Sequence, residues 1–140
     1  PDMSLPRDGG CRCGAVRYRM NAEPFVVAHC HCRDCQYSTG GGSAVVMIAP
    51  RDGVEVTQGE TTAYRVEAEN GNFVTRSFCG TCGTPLFSDL SGSPALYGVK
   101  VGTLDDPSAV TPAVHAWTVS APAWSLPDDG LPRFERNPQG

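Results

Sequence analysis

Seven cysteines fall into three short clusters: CRC (Cys11, Cys13), CHCRDC (Cys30, Cys32, Cys35) and CGTCG (Cys79, Cys82). Cysteine is a poor surface residue and a small core residue, so three within six positions rarely serve packing alone. A disulfide knot, a redox centre and a metal site are the candidates. The odd count weighs against a disulfide framework. So does PDMSLPRDGG (1–10), which has no hydrophobic signal region. The chain reads as cytoplasmic, where thiols stay reduced. Residues 1–8 read as a lead, with Met3 as the natural start.

Two pairs and a triple suggest a division into four ligands and three. Zinc takes tetrahedral thiolates at about 2.3 Å, which sets neighbouring sulfurs about 3.8 Å apart. C-x-x-C in a tight turn meets that distance, with Gly80 and Gly83 relieving the backbone where amide N–H groups must turn inward toward the thiolates. C-x-C on extended backbone puts both side chains on one face. Four thiolates close a structural shell, and three leave a position for water or substrate. The dense triple therefore reads as the open site. Spacing alone does not prove the pairing, and His29, His31 or His115 could supply a fourth ligand and close it. Buried structural thiols without metal remain the alternative.

Apolar alternation supplies the frame. AVRYRM (15–20) turns Val16, Tyr18 and Met20 one way and Arg17 and Arg19 the other, as a half-buried strand does. PFVVAHC (24–30), GGGSAVVMIAP (40–50), GVEVTQG (53–59), ALYGVKVG (95–102) and AVHAWTVS (113–120) read as further strands. TAYRVEAENGNFVTRSFC (62–79) reads as a hairpin turning at Asn70-Gly71. No twelve-residue window carries a 3.6-residue period, so at most one or two helical turns are expected. Asp105 in GTLDDP is the expected cap of one. The fold class is mainly β, with 16 glycines and 12 prolines suited to short strands and turns. One zinc-binding domain over 9–126 is expected, then a loosely held tail (127–140) pinned by Phe134. The net charge of −4 and the lack of a basic stripe argue against nucleic acid. No apolar run approaches the ~20 residues of a membrane span.

Five motifs, GGCRCGAVRY (9–18), CHCRDC (30–35), FCGTCGTPLF (78–87), VGTLDDP (101–107) and HAWTVSAPAW (115–124), together resemble the glutathione-dependent formaldehyde-activating enzyme family, which includes the centromere protein V domain. The resemblance implies a small zinc-stabilised fold of coiled antiparallel sheets, often called a β-tent. It implies two zinc ions per chain: a structural one on Cys11, Cys13, Cys79 and Cys82, and an exchangeable one on Cys30, Cys32 and Cys35. The activity it implies is condensation of formaldehyde with glutathione to S-(hydroxymethyl)glutathione, a carbon–sulfur lyase reaction run backwards. The partner would be a small-molecule thiol. Where the family carries a basic residue after the triple, this sequence has Gln36 and Tyr37, leaving Arg33 as the nearby cation.

Within that reading Cys30, Cys32 and Cys35 form the catalytic centre, with His31 as a proton shuttle or as a hydrogen-bonding group behind the ligands. His115 is expected to be half-buried. Trp117 and Trp124 could wall a pocket, though packing against the core or the C-terminal segment is the plainer role. Two other readings stand beside the enzyme: a non-catalytic zinc module for protein binding, and a thiol redox enzyme like the B-type methionine sulfoxide reductases, which would need a free reactive cysteine.

Overall fold

The computed structural model describes residues 5–68 and 71–138. It holds ten strands: β1 (Arg7–Gly10), β2 (Arg17–Met20), β3 (Val26–Cys30), β4 (Ala44–Pro50), β5 (Val54–Gln58), β6 (Thr62–Glu67), β7 (Phe73–Phe78), β8 (Pro85–Leu90), β9 (Leu96–Lys100) and β10 (Val114–Ala116). One α-helix, α1 (Arg33–Thr39), follows β3, and four single 3-10 turns complete the elements among the described residues. The helical content thus exceeds the one or two turns expected, but it stays in short pieces.

A three-stranded sheet runs β1-β2-β5, and a seven-stranded sheet runs β10-β3-β4-β9-β8-β7-β6. All pairings are antiparallel except β10 with β3. The alternation of β2 decides the main core. Val16, Tyr18 and Met20 are buried against Met47, Leu86, Phe87 and Val99. Tyr18 meets Phe87 edge to face at 5.2 Å. Each such side chain contributes roughly 1.5–3 kcal/mol on burial. On the outer face Arg19 pairs with Asp8 at 2.8 Å and Arg17 with Asp105 at 3.0 Å. Asp105 is therefore not the helical cap expected. Asp106 takes that role, its Oδ1 accepting from Ser108 N at 3.0 Å.

The β4 strand is apolar throughout because both its faces are covered. Met47 and Ala49 enter the main core, with Val45 packed against it, while Ala44, Val46 and Ile48 form a second cluster with Cys30, Cys32 and Cys35. Cross-strand partners share a face, and the register carries that second face across the sheet. Ile48 opposes Gly98, Gly98 opposes Ser88, Ser88 opposes Arg76, and Arg76 opposes Tyr64. Val46 opposes Lys100. The β6–β7 hairpin forms as expected; Asn70 lies outside the described residues, and Gly71 takes the left-handed conformation at φ 85°.

The C-terminal segment differs from the loose tail expected. His115 N donates to Pro132 O, Phe134 N to His115 O and Trp117 N to Arg136 O, each at 2.9 Å. The chain from 132 to 136 thus runs beside β10 and its continuation, held by backbone bonds rather than by the Phe134 ring alone. The β10 strand is shorter than its alternation suggested because Trp117 turns left-handed at φ 59°.

Candidate functional site

The CRC and CGTCG turns meet although they belong to different sheets. CRC connects β1 to β2, and CGTCG connects β7 to β8. Cys11 Sγ lies 3.6 Å from Cys13 Sγ, which lies 3.8 Å from Cys79 Sγ. All four sulfurs, with Cys82, lie within 4.8 Å of one another. These spacings fit the edge of a tetrahedral zinc–thiolate shell. Backbone amides point at the sulfurs: Val16 N donates to Cys11 at 3.2 Å and Cys82 N to Cys79 at 3.4 Å. The Val16 bond holds the Cys11 thiol below its ordinary range. Bonds from Thr84 pull Cys82 down to about 5. Gly83 makes the turn possible at φ 80°, and a Cβ on Gly80 would meet Thr62 Oγ1 at 2.5 Å.

The triple is built from the end of β3 and the first turn of α1. Cys30 closes the strand. Cys32 is the N-cap of the helix, its sulfur accepting from Cys35 N at 3.3 Å. Cys35 is buried inside the helix. The three sulfurs also lie within 4.8 Å of one another, and among the described residues no histidine or carboxylate joins that group. The donor set therefore fits zinc as three thiolates with one position left over. Hydrogen bonds from Cys30 and Cys32 hold the Cys35 thiol far below its usual range, with Lys100 and Arg76 adding positive potential. Hydrogen bonding with Cys32 and Cys35, together with burial, pushes Cys30 up.

A cleft of about 320 Å³ opens on this face, lined by Ser38 of α1, Tyr64, Arg76, Phe78, Phe87 and Lys100. Lys100 is buried, and Ser88 Oγ accepts from its Nζ at 3.3 Å and from Arg76 Nη1 at 3.2 Å. Burial lowers the Lys100 ammonium from its ordinary range, while the thiols of the triple act in the opposite direction. Neither cation stood out in the sequence. Lys100 sits in an expected strand whose faces the sequence leaves unassigned, and β8, which carries Ser88, is not among the strands expected.

The position where a basic residue was expected has a different role here. Gln36 is buried, and its Nε2 donates to His31 O at 2.8 Å and Ser120 O at 3.0 Å. It clasps α1 to the C-terminal turn. Arg33 hydrogen-bonds Gln36 and stacks 4.8 Å over the Tyr37 ring. With Trp124 these residues border a second, outer hollow. Trp124 is 77% exposed, so it does not pack in the core. Trp117 Nε1 donates to Asn137 at 2.9 Å.

None of the three histidines falls in the sulfur triple. His31 and His115 are fully buried, and His31 Nε2 lies 2.9 Å from His115 Nδ1. His115, expected half-buried, also reaches Asp129 Oδ2 at 2.8 Å through Nε2. Burial, then the neighbouring His115, lowers the His31 imidazole from its ordinary range. Asp129 escaped sequence reasoning because it lies in the segment taken for a tail.

These features place the chain among small β domains organised around cysteine clusters able to hold metal. It belongs to the glutathione-dependent formaldehyde-activating enzyme family, whose model matches residues 6–120. A Halomonas elongata protein with the provisional name of glutathione-dependent formaldehyde-activating enzyme is 27% identical over 122 residues, covering 84% of this chain and 78% of its own. The crystal structure of a Rhodobacter sphaeroides protein superposes with a TM-score of 0.59, covering 91% of this chain and 98% of that one at 23% identity. That likeness extends to the fold.

Proposed function

We propose that the protein is a carbon–sulfur lyase-type enzyme that joins formaldehyde to glutathione, or handles a related thiol–aldehyde pair. The observation that carries this reading is the set of three thiols that no histidine or carboxylate joins among the described residues, beside a cleft bearing two cations. Zinc held by Cys30, Cys32 and Cys35 would supply a position at which a thiol ionises. The structural partner set is Cys11, Cys13, Cys79 and Cys82, giving two zinc ions per chain. A cytoplasmic setting belongs to the same reading, because reduced thiols persist there.

The residues of the chain account for the rest. Lys100 and Arg76 offset the negative charge of clustered thiolates and attract the carboxylates of an anionic thiol. Ser88 bridges them and fixes their spacing. They replace the basic residue missing at Gln36, and they come from strands remote in sequence. Tyr64, Phe78 and Phe87 give the cleft apolar walls, and orienting thiol and aldehyde together there favours addition. In the net reaction a sulfur–carbon bond forms, the carbonyl π bond breaks, and the thiol proton ends on the new hydroxyl. No atom is left over.

Exchange spectroscopy at equilibrium tests this. Thiols add to formaldehyde unaided, so the rate of S-(hydroxymethyl)glutathione exchange must exceed a protein-free control. It must also fall to that control in Cys32→Ser. Exchange equal to the control with fully metal-loaded protein would overturn the proposal.

A further inference from the structure

The β6 strand is the last of the seven-stranded sheet, and among the described residues no strand pairs with its outer edge. Its six residues include no proline, glycine or bulge to blunt that edge, and all but Val66 are exposed. The hairpin tells which main-chain groups are free. Ala68 N donates to Asn72 O at 2.8 Å, while Phe73 N donates to Ser91 Oγ and Phe73 O accepts from Ser91 N. Bonded and non-bonded pairs alternate along an antiparallel ladder. Val66 and Tyr64 therefore bond across to Val74 and Arg76, whereas Glu67, Arg65 and Ala63 direct their N–H and C=O groups away from β7.

An exposed edge of this kind is a template for a further strand, and the charges on β6 select which. Arg65 and Glu67 share a face. Arg65 lies 3.8 Å over the Phe73 ring, and neither charge forms an ion pair among the described residues. A second copy of β6, laid antiparallel about a two-fold axis, matches these outward groups in any register centred on a residue. Centred on Arg65 it sets arginine against arginine, and centred on Glu67 it sets glutamate against glutamate. Centred on Tyr64 it sets Arg65 against Ala63. Centred on Val66 it sets Arg65 against Glu67 of the second copy, twice, with Val66 facing Val66. Opposite charges directly across a strand pair stabilise it, and like charges destabilise it.

We propose that β6 pairs with β6 of a second copy in the Val66-centred register, so that the seven-stranded sheet continues through a two-fold axis. Arg65 N–H donates to Glu67 O of the second copy, and Glu67 N–H to its Arg65 O. The pairing reaches the cleft. Tyr64 lines that cleft and is 64% exposed. Cross-strand partners share a face, so the second copy's Ala68 lies against Tyr64 and extends the apolar wall on the β6 side. Each copy thus completes the other's cleft. The contact engages about five residues a side, against the roughly 20–30 of a standard interface, which puts the association in the micromolar range. The pairing stands apart from the thiol–aldehyde reading.

Sedimentation equilibrium of the zinc-loaded, full-length protein tests this from about 5 to about 500 µM, a range set by the small contact. A monomer–dimer equilibrium is expected. Arg65→Glu and Glu67→Arg should each weaken it about tenfold or more, because like charges then face each other, and the double reversal should return it to within about threefold of wild type. Circular dichroism of the dilute variants checks that the monomer stays folded. Amide exchange in the wild type gives a second reading that needs no variant. Between dilute and concentrated protein the Arg65 and Glu67 amides should gain about tenfold or more in protection. Val66, already bonded to Val74, should gain less. A protein monomeric to the top of that range would overturn the proposal and make Arg65 and Glu67 charges that keep the edge unpaired. A dimer that neither single reversal weakens would place the contact elsewhere and overturn it as well. So would a double reversal that fails to restore pairing, or protection gained at Val66 but not at Arg65.

Discussion

The sulfur atoms of Cys13 and Cys79 lie 3.8 Å apart although 66 residues separate them. They bring the β1–β2 turn of one sheet to the β7–β8 turn of the other. Metal on this set would close a long loop and join the two sheets. Zinc–thiolate sites of this kind are worth about 10–16 kcal/mol of apparent binding energy coupled to folding, whereas net domain stability is about 5–15 kcal/mol. Cys11→Ser and Cys79→Ser should therefore be insoluble or largely unfolded. Cys35→Ser should stay folded with one metal fewer. Metal analysis with circular dichroism checks both, and the reverse ranking would exchange the roles of the two sites.

Lys100 and Arg76 should set preference among thiols. A hydrogen bond to a charged group is worth about 1.5–3 kcal/mol, so Lys100→Met should lower the kcat/KM ratio for glutathione over 2-mercaptoethanol by about tenfold or more. Arg76→Met should act in the same direction. Because Lys100 is desolvated, its replacement by a similar apolar side chain should leave thermal stability unchanged or raised. An equal loss for charged and neutral thiols would mean that the cations serve the thiolates and not the substrate.

Gln36 should behave as a clasp. Gln36→Ala removes the donor to His31 O and Ser120 O, and stranding those acceptors costs about 1–3 kcal/mol. The melting temperature should fall by roughly 2–4 °C for each kcal/mol in a domain near this size. Gln36→Lys should also melt earlier, because it buries a charge, and it should not improve glutathione use. A gain in glutathione affinity would show that this position faces the substrate after all.

Tyr18 gives a pH dependence with a definite sign. Burial raises its phenol from 10.0 to about 12, against the lowering effect of its bond to Thr103. A group whose folded pKa is raised stabilises fully below its unfolded value and loses that contribution as pH rises through the folded one. Stability should therefore drop between pH 10 and about 12 by roughly 2–3 kcal/mol. Tyr18→Phe should be less stable at neutral pH, having lost the 2.7 Å bond to Thr103, yet flatter across that window. Denaturant melts at pH 9.5 and 11.5 would show it, and parallel curves for the two proteins would refute it.

The sequence made the grouping of the cysteines and most strands legible because both depend on short spacing. Val16, Tyr18 and Met20 showed their face by alternation alone, and the three cysteine clusters suggested the four-and-three division that the fold brings together. What stayed hidden depends on pairing or breaks a local rule. The β1 strand contains two glycines, and Gly9 is there because a Cβ would meet Thr103 O and the Tyr18 ring at 2.5 Å. Helix α1 has no apolar stripe, and its cap is a cysteine rather than Ser, Thr, Asn or Asp. Arg76, Ser88 and Lys100 converge only through the register of three strands. Asp129 meets His115 only once the segment after it lies along β10.

The last prediction concerns the position left open in the triple. Among the described residues no histidine or carboxylate stands with Cys30, Cys32 and Cys35, so an external thiol should be able to complete a four-sulfur set. Cobalt substitution reads this directly, because thiolate-to-cobalt charge-transfer absorption grows with each sulfur ligand. Glutathione should raise the band in the cobalt-loaded wild type, and 2-mercaptoethanol should do so at higher concentration, because it lacks the carboxylates that Lys100 and Arg76 attract. Cys32→Ser should not respond. Asp129→Asn should respond at similar thiol concentrations, since it leaves the three sulfurs in place. If several thiols raise the band but formaldehyde exchange stays at the control rate, the open position survives and the reaction falls. If no thiol raises it, the site is closed by a ligand from outside the set, and a structural role in binding another protein would replace the enzyme.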